Sequence, residues 1–284
     1  MDTGVLYTAT GERYINEVLR SAESLKRVSS EPVTLISNEP VESPYIDTNI
    51  VRTFDGDVYG VPYDPYYYKI LVIDELPYER TLFLDTDTYI YDDISSLFEW
   101  LDEFDMALSL APHRNTLKGN PKDGKNLEDD VPDSFPDHNN GVMLLKDVPT
   151  VTECLRDWRE QYFEHIEETQ RGQPTLRRVL FNSDVRFATL PPEYNHRYYK
   201  PSYAEGTIRI FHGRVLDVEA VAEKLNRTTE SRVSILKGGR IEMQVIGQSR
   251  TDRAMAAIRN NSFRTLLKKG LNRCSETLRA RARP

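Results

Sequence analysis

Two aspartates one residue apart are the first feature of this sequence that could carry chemistry. Asp85 and Asp87 follow the apolar run Leu82–Leu84. Carboxylates this close repel each other unless a cation joins them. A hard divalent ion takes carboxylate oxygens and completes its shell with phosphate oxygens and water, so it could stabilise a departing diphosphate. The alternative is a turn in which one aspartate only caps the following helix.

Whether Asp85 and Asp87 can bind a ligand depends on the secondary structure that precedes them. Thr81–Leu84 has the composition of a short buried strand that ends at Asp85. In open α/β sheets, ligands bind beyond the carboxyl ends of the strands. Both carboxylates are therefore expected to lie where a substrate would bind.

Strands and helices alternate along the rest of the chain. Strand, helix and strand with short joints indicate a βαβ unit at the N-terminus, hence a parallel sheet covered by helices. The spacing of apolar residues predicts helices over Ile15–Leu25, Tyr66–Leu76, Ile94–Leu101, Val151–Ile166 and Thr175–Leu180, and strands over Val5–Thr10, Pro32–Ser37, Asn49–Thr53, Thr81–Leu84, Asp105–Leu110, Asn140–Leu145 and Ile208–Phe211.

Three regions follow from this pattern. Residues 1–226 are expected to form one α/β domain, and residues 227–249 a hairpin about Gly238 and Gly239. Residues 112–138 lose all periodicity, which is typical of a functional lid or a disordered insertion. Residues 250–284 form a separate basic tail.

Composition excludes several classes of protein. The chain is 39% hydrophobic and 29% charged, which allows a packed core. Its net charge of −8 argues against nucleic-acid binding. No apolar run approaches the roughly 18 residues that span a bilayer, and residues 1–7 show neither the basic flank nor the apolar stretch that is typical of a signal peptide. With Cys154 and Cys274 interpreted as reduced thiols, we expect a cytoplasmic protein.

The basic tail has its own charge and pattern. Residues 250–284 hold ten lysines and arginines against Asp252 and Glu276, a net charge of +8. Apolar residues recur every three or four positions from Phe263 to Leu278, which predicts a basic amphipathic helix. Such a helix could lie on an anionic membrane at the inner face, or dock on the acidic surface of the domain.

The aspartate pair belongs to an ordered set of motifs. Tyr68–Leu71 and Arg80–Glu99 closely resemble the core of glycosyltransferase family 8, in which a lysine-bearing helix precedes Asp-x-Asp-Thr and an Ile-x-x-Leu-Phe helix follows. Further likeness spans Val5 to Val215. It rests on Asn139–Lys146 (Asn-x-Gly-Val), Gly172 and Gln173 followed by Leu190–Asn195 (Leu-Pro … Tyr-Asn), and Ile210–Val215 (the terminal His and Gly).

This resemblance implies a GT-A fold, a Rossmann-like, mostly parallel sheet with helices on both faces. It also implies a divalent cation, Mn²⁺ or alternatively Mg²⁺, and a nucleotide-sugar donor, commonly a UDP-sugar. The acceptor would be a hydroxyl of a glycan or of a lipid-linked glycan. Hexosyl transfer in the family retains the anomeric configuration.

The resemblance also assigns roles by position. It implies metal ligands at Asp85, Asp87 and His212, catalytic residues at Asn140 and Gln173, and donor contacts at Thr8, Ala9, Thr10, Lys69, Asp85, Thr86, Asp87, Gly141, Gly213 and Arg214. Without a glycine-rich fingerprint, the turn from Thr8 to Gly11 could equally be an ordinary loop.

Three departures from the family pattern stand out. Gly172 replaces the aspartate before the glutamine, which removes a sugar-binding carboxylate. The family's final Lys-Pro-Trp is absent, and Arg214 could supply the charge instead. His212 stands directly before Gly213, two positions later than the family's histidine. A shift of two keeps a strand side chain on the same face, although a structural hydrogen-bonding role is the alternative.

Two other functions remain open at this stage. Asp85 and Asp87 after a strand also resemble the nucleophile motif of haloacid-dehalogenase-like phosphohydrolases. That family normally has Thr or Val where Tyr89 stands, and it begins its Rossmann core with that strand. A catalytically inactive GT-A binding module is the third interpretation, in which Gly172 and the shifted His212 mark lost chemistry.

Overall fold

A seven-stranded sheet lies at the centre of the structure, a computed structural model that describes residues 2–111, 130–169, 171–198 and 201–246. The strands are β1 (Thr3–Ala9), β2 (Val33–Ser37), β3 (Thr48–Val51), β4 (Asp57–Val58), β5 (Val61–Pro62), β6 (Arg80–Leu84), β7 (Thr88–Ile90), β8 (Met106–Leu110), β9 (His138–Lys146), β10 (Phe187–Leu190), β11 (Ser202–Ala204), β12 (Ile210–His212), β13 (Arg232–Lys237) and β14 (Arg240–Val245). The helices are α1 (Glu12–Lys26), α2 (Tyr68–Val72), α3 (Trp100–Glu103), α4 (Pro149–Glu164), α5 (Gly172–Asn182) and α6 (Val218–Leu225).

The strand order of the central sheet is β10-β8-β9-β6-β1-β2-β3. β9 pairs antiparallel with β6 and β8, and the remaining pairs in the sheet are parallel. Tyr7 of β1 lies opposite Leu84 of β6, and Leu84 lies opposite Val142 of β9. The carboxyl ends of β1 and β6 therefore meet the first half of β9 at one edge of the sheet.

Both faces of this sheet are covered, as the apolar runs of its strands require. Along β1, Val5 and Tyr7 pack in one core with α1 and α3, whereas Leu6 packs in another with α2, α4 and α5. All three side chains are fully buried. The expected α/β fold with a mostly parallel sheet and helices on both faces is confirmed.

Helix α1 begins directly after β1 because the chain turns sharply at Gly11. Gly11 has a φ of +81°, a conformation that a glycine adopts without strain. The helix buries Ile15, Val18, Ala22 and Leu25, which recur at three- and four-residue spacing on one face. This turn fixes the direction in which the first turns of α1 approach the end of β6.

A smaller core lies beyond the central sheet. It joins Tyr198, Phe211, Ala222, Leu225 and Ile241 from the segments around β12, α6 and β14. β11, β13 and β14 form a three-stranded sheet, and β12 pairs antiparallel with β7. β13 and β14 are neighbours in the three-stranded sheet, and the chain passes between them through Gly238 and Gly239, both of positive φ.

Several elements differ from the sequence-based expectations. The helix expected over Tyr66–Leu76 is a 3₁₀ turn at Pro65–Tyr67 followed by the five-residue α2, and the one over Ile94–Leu101 is largely 3₁₀. β4, β5, β7, β10 and β11 were not expected, because strands of two to four residues leave almost no periodicity. The expected tail at 250–284 lies outside the described residues, as does most of 112–138. None of the helices in the described ranges has the length and apolar character needed to cross a membrane.

The start of β9 is tied to α5 by a buried arginine. Arg177 Nε lies 3.2 Å from Asp137 Oδ1, and the two side chains are 2% and 3% exposed. Arg177 also donates hydrogen bonds to the carbonyls of Phe135 and Pro132 at 2.6 to 2.9 Å. These contacts hold residues 132–137 in place ahead of the strand that reaches the site.

Arg177→Met is expected to lower the free energy of unfolding by roughly 3–5 kcal/mol, because it removes the buried cation that pairs with the Asp137 carboxylate. Urea unfolding followed by circular dichroism measures this. Arg178→Met is the matched control, since Arg178 lies next in sequence and pairs with Asp130 at the surface. That change should cost no more than about 1 kcal/mol. Equal losses in the two variants would contradict the assigned role of Arg177.

Candidate functional site

Asp85, Asp87 and His212 converge at the carboxyl end of β6. One ligand atom from each lies within 4.8 Å of the other two. His212 Nε2 lies 3.5 Å from Asp85 Oδ2 and 3.3 Å from Asp87 Oδ1. Two carboxylate oxygens facing one imidazole nitrogen form a ligand set that divalent ions accept. The group could therefore bind a metal ion.

Backbone pairing positions this group from both sides. Asp85 N–H donates to the carbonyl of Gly141 at 2.8 Å, which joins the end of β6 to β9. Gly213 N–H donates to the carbonyl of Asp87 at 2.8 Å. His212 lies opposite Thr88 in the β7–β12 pair. His212 stands two positions later in the sequence than the histidine of the family motif, and its ring still lies on the side of the aspartates.

Two cations pair with the aspartates. Lys69 Nζ donates to Asp85 Oδ1 at 2.6 Å and to the carbonyl of Asn140 at 2.5 Å. Arg214 Nη1 lies 3.2 Å from Asp87 Oδ2. Each aspartate therefore has one oxygen directed to a fixed cation and the other directed to His212.

The charges around the aspartates determine their ionisation. Burial alone would raise the pKa of Asp85, but the charge of Lys69 and the hydrogen bond with His212 hold this pKa well below its ordinary value. Burial also acts to raise the pKa of Asp87, and His212 and Arg214 together lower it. Both side chains are carboxylates at neutral pH, as metal ligands must be.

Glu17 of α1 links the basic and acidic parts of the site. Its side chain is 8% exposed and accepts two hydrogen bonds of 2.8 Å from Arg214 Nε and Nη2. Thr86 Oγ1 also donates to Glu17 at 2.7 Å. Burial acts to raise the pKa of Glu17, but the hydrogen bonds from Arg214 and Thr86 outweigh it and lower the pKa. The helix that follows β1 thereby fixes the direction of Arg214.

Gly141 lies where no side chain would fit. A Cβ at this position would lie 2.1 Å from His212 Cε1 and 2.5 Å from Asp85 Oδ2. These distances are far inside van der Waals contact, and the atoms concerned belong to the proposed ligands. The close approach of β9 to the aspartate pair therefore requires glycine here.

The residues assigned to the donor base and sugar lie on neighbouring elements. Thr8 and Ala9 end β1, Thr10 follows directly, and all three side chains are buried. Gln173 Nε2 donates to the carbonyl of His138 at 3.2 Å, which joins α5 to β9. The roles of these residues, and of Asn140, stay predictions.

Gly172, where the family has an aspartate, begins α5. Its carbonyl accepts a hydrogen bond of 2.8 Å from Trp158 Nε1. A Cβ here would lie 3.0 Å from the Trp158 ring and 3.4 Å from Ile70. An aspartate at this position would therefore require the Trp158 indole to shift. The ring of Trp158 thus lies where the family's aspartate side chain would begin.

Solved structures with a similar fold are glycosyltransferases. Mouse xyloside xylosyltransferase 1 in its apo form matches with a TM-score of 0.52 at 16% identity, over 75% of this chain and 98% of that chain. The galactosyltransferase LgtC, with donor and acceptor sugar analogues, matches with a TM-score of 0.49 at 13% identity, over 68% of this chain and 75% of its own. The apo form of the glycosyltransferase GlyE from Streptococcus pneumoniae TIGR4 matches with a TM-score of 0.46 at 16% identity, over 69% of this chain and 47% of that chain.

At these identities the similarity establishes the fold. The chain has the GT-A fold of nucleotide-sugar transferases, as the resemblance of its motifs implies. No protein-family model and no curated protein sequence matches it.

Sequence reasoning missed three residues of this site. Glu17 was not singled out, because it stands among charged residues of a helix and its partner Arg214 is 197 positions away. Asn139 and Asn195 stood inside the quoted motifs without an assigned role, yet their side chains are hydrogen-bonded to each other. A charged residue on the buried side of the α1 periodicity was the available signal for Glu17.

Glu17→Gln is expected to lower the free energy of unfolding by about 1–3 kcal/mol at neutral pH, since it removes a charged acceptor of Arg214. Folding lowers the pKa of Glu17. The Glu17 carboxylate therefore stabilises the folded protein fully at pH values above the unfolded pKa of about 4.3, and this stabilisation is lost as the pH falls through the folded pKa. Chemical unfolding from about pH 7 to about pH 2 should show the difference between wild type and variant shrinking in acid.

Glu23→Gln is the matched control on the same helix, because Glu23 pairs with Arg27 at the surface. Its effect should stay below about 1 kcal/mol. A pH-independent difference between wild type and Glu17→Gln would refute the charge-based explanation.

Proposed function

We propose that the protein is a metal-dependent glycosyltransferase that moves a sugar from a nucleotide-diphosphate donor to a hydroxyl acceptor. The observation that carries the proposal is the Asp85–Asp87–His212 group at the carboxyl edge of a GT-A sheet. This edge is where open α/β sheets bind their ligands. A metal in this group would neutralise charge on the departing diphosphate. Mn²⁺ is the proposed ion and Mg²⁺ the alternative.

Charged residues beside this group support a diphosphate donor. Arg214 is 45% exposed, and its guanidinium is oriented by Glu17. Such an arginine places a fixed positive charge where the proposed diphosphate would lie. Lys69 contributes a second positive charge, held by Asp85. We assign to these two residues the binding of the anionic leaving group, with Thr86 and Gly213 lining the same turn.

The remaining assignments follow the motif resemblance. Thr8, Ala9 and Thr10 would bind the base of a nucleotide, with uridine diphosphate the commonest in the family. Gly141, Asn140 and Gln173 would line the sugar and the acceptor hydroxyl, and Asn140 and Gln173 are the proposed catalytic residues. We expect hexosyl transfer with retention. The acceptor class is a glycan or a lipid-linked glycan.

Asp87→Asn is expected to lower transfer or hydrolysis of the donor by about 10²-fold or more, since a ligand that supplies several kcal/mol of charge stabilisation is lost. The assay incubates the protein with Mn²⁺ and a panel of nucleotide-sugars and measures release of the nucleotide. Asp92→Asn is the matched control, because Asp92 lies just beyond the other end of β7 from Asp87 but pairs with Arg209 at the surface.

The outcomes separate the three functions. Turnover that requires Mn²⁺ and Asp87 supports the transferase. Hydrolysis of simple phosphomonoesters in place of nucleotide-sugars would instead identify a phosphohydrolase. Nucleotide-sugar binding without turnover in the wild type would identify a binding module. Equal turnover by wild type and Asp87→Asn would contradict the metal-dependent mechanism.

We further propose that the basic tail, residues 250–284, binds an anionic membrane surface when the acceptor is lipid-linked. Its net charge of +8 contrasts with −8 for the whole chain. Basic residues near an anionic surface contribute roughly 1 kcal/mol each. The enzyme would then be a cytoplasmic protein that associates peripherally with the inner face of the membrane.

Replacement of Arg264, Lys268 and Lys269 by glutamate should weaken binding to vesicles that contain anionic lipid by at least about 100-fold. Vesicle sedimentation at low and high salt measures this. Replacement of Arg156, Glu160 and Glu164 of α4 by alanine controls for general surface changes. Unchanged vesicle binding in the glutamate variant would favour docking of the tail on the domain.

A further inference from the structure

A chain of buried hydrogen bonds runs from the backbone of β9 to the proposed metal site. Gly141 N–H donates to Asn139 Oδ1 at 3.0 Å. Asn195 Nδ2 donates to the same oxygen at 2.8 Å, and His212 Nδ1 lies 2.8 Å from Asn195 Oδ1. Asn139, Asn195 and His212 are 3%, 6% and 1% exposed, so water has little access to these bonds.

The direction of every bond in this chain follows from its first member. A backbone N–H can only donate, so the Asn139 atom facing Gly141 must be the side-chain oxygen. The Asn195 atom facing that oxygen must then be the amide nitrogen. The other end of the Asn195 amide is consequently its oxygen, which can only accept. His212 Nδ1 must therefore carry a proton.

This polarity determines which nitrogen of His212 is offered to a metal. With a proton held on Nδ1, Nε2 is the ring nitrogen that can offer a lone pair to a metal. Nε2 is the nitrogen that lies 3.3 and 3.5 Å from oxygens of Asp87 and Asp85. A cation bound at Nε2 would also be offered the two carboxylates. The hydrogen-bond chain thus prepares the ring for a cation.

We propose that Asn195, itself oriented by Asn139, is the positioning residue that holds the proton of His212 on Nδ1 and leaves Nε2 as the metal-binding atom. This inference rests on the proposed metal site and extends it to residues that touch neither donor nor ion. Partners of a ligating histidine typically contribute 10–100-fold to metal affinity. Asn195 therefore sets the affinity of the site without being a ligand.

Two substitutions at one position isolate this role. Asn195→Leu removes the acceptor for His212 Nδ1, and Asn195→Asp keeps an acceptor there. Both lose the amide group that donates to Asn139 Oδ1, and in Asn195→Asp a carboxylate oxygen faces that atom instead. Calorimetric titration with Mn²⁺ should show affinity 10–100-fold weaker in Asn195→Leu and restored to within a few-fold of wild type in Asn195→Asp.

Asn49→Leu is the control for loss of a hydrogen-bonded asparagine elsewhere. Asn49 on β3 donates to Leu35 and Ser37 at the far edge of the sheet. It should leave Mn²⁺ affinity unchanged. Thermal unfolding of all variants tests whether any loss of affinity reflects loss of fold.

The proton position can be read without any activity assay. Long-range ¹H–¹⁵N correlation spectra of the full-length protein in Mg²⁺, a diamagnetic ion, distinguish the two ring nitrogens, and His212→Gln identifies the signal among five histidines. A proton on Nδ1 in the wild type, lost from Nδ1 in Asn195→Leu, is the expected result. A proton on Nε2 with a bare Nδ1 would overturn the proposal.

The two proposals fail in different ways. Absence of Mn²⁺ binding by the wild type would reject the metal site, while the spectra would still decide the proton position. Mn²⁺ binding that is equal in wild type and Asn195→Leu would reject the role of Asn195 and leave the transferase intact.

Discussion

Repulsion between Asp85 and Asp87 is the interaction around which the site is arranged. The end of β6 brings two carboxylates together, and each has one oxygen paired with a fixed cation, Lys69 or Arg214. With Glu17, three carboxylates face two cations, which leaves one negative charge when His212 is neutral. A divalent ion would change this to one positive charge. Such a balance suits a site that must bind an anionic diphosphate and later release it.

The fold supplies these partners from separate elements because no single segment could. β9 runs against its neighbours, so its first residues reach the edge at which β1 and β6 end. The β7–β12 pair brings His212 back to the same edge after an excursion of more than a hundred residues. Gly141 permits the closest approach, since a Cβ would collide with His212 and Asp85. The antiparallel strand β9 and the β7–β12 pair thus place His212 beside the two aspartates and complete the three-residue group.

The sequence allowed the strand before Asp85 and the covering helices to be predicted, because burial patterns are local properties. The placement of His212 near Asp85 was implied only by the resemblance of the ordered motifs to a known family. The sequence did not allow the β7–β12 pair to be predicted, since the three residues of β7 show no period. It also did not reveal Glu17, whose partner Arg214 is distant in sequence. Asn195 was visible in a motif, but its role depends on the direction of three hydrogen bonds. The direction of these hydrogen bonds can be determined only from the three-dimensional positions of β9 and β12.

The departures from the family pattern are therefore best judged by position in the structure. His212 stands two residues later than expected, yet its pairing opposite Thr88 keeps the ring on the aspartates. Arg214 stands where a lysine motif is missing, and it is held at two atoms by Glu17 and lies beside Asp87. Both changes preserve charge and direction at the ligand group. Gly172 is different, because Trp158 lies within 3.0 Å of the position its side chain would take. The chain therefore keeps the charged groups on which the proposed metal and diphosphate site rests, and Gly172 is the departure that bears on the proposed choice of sugar.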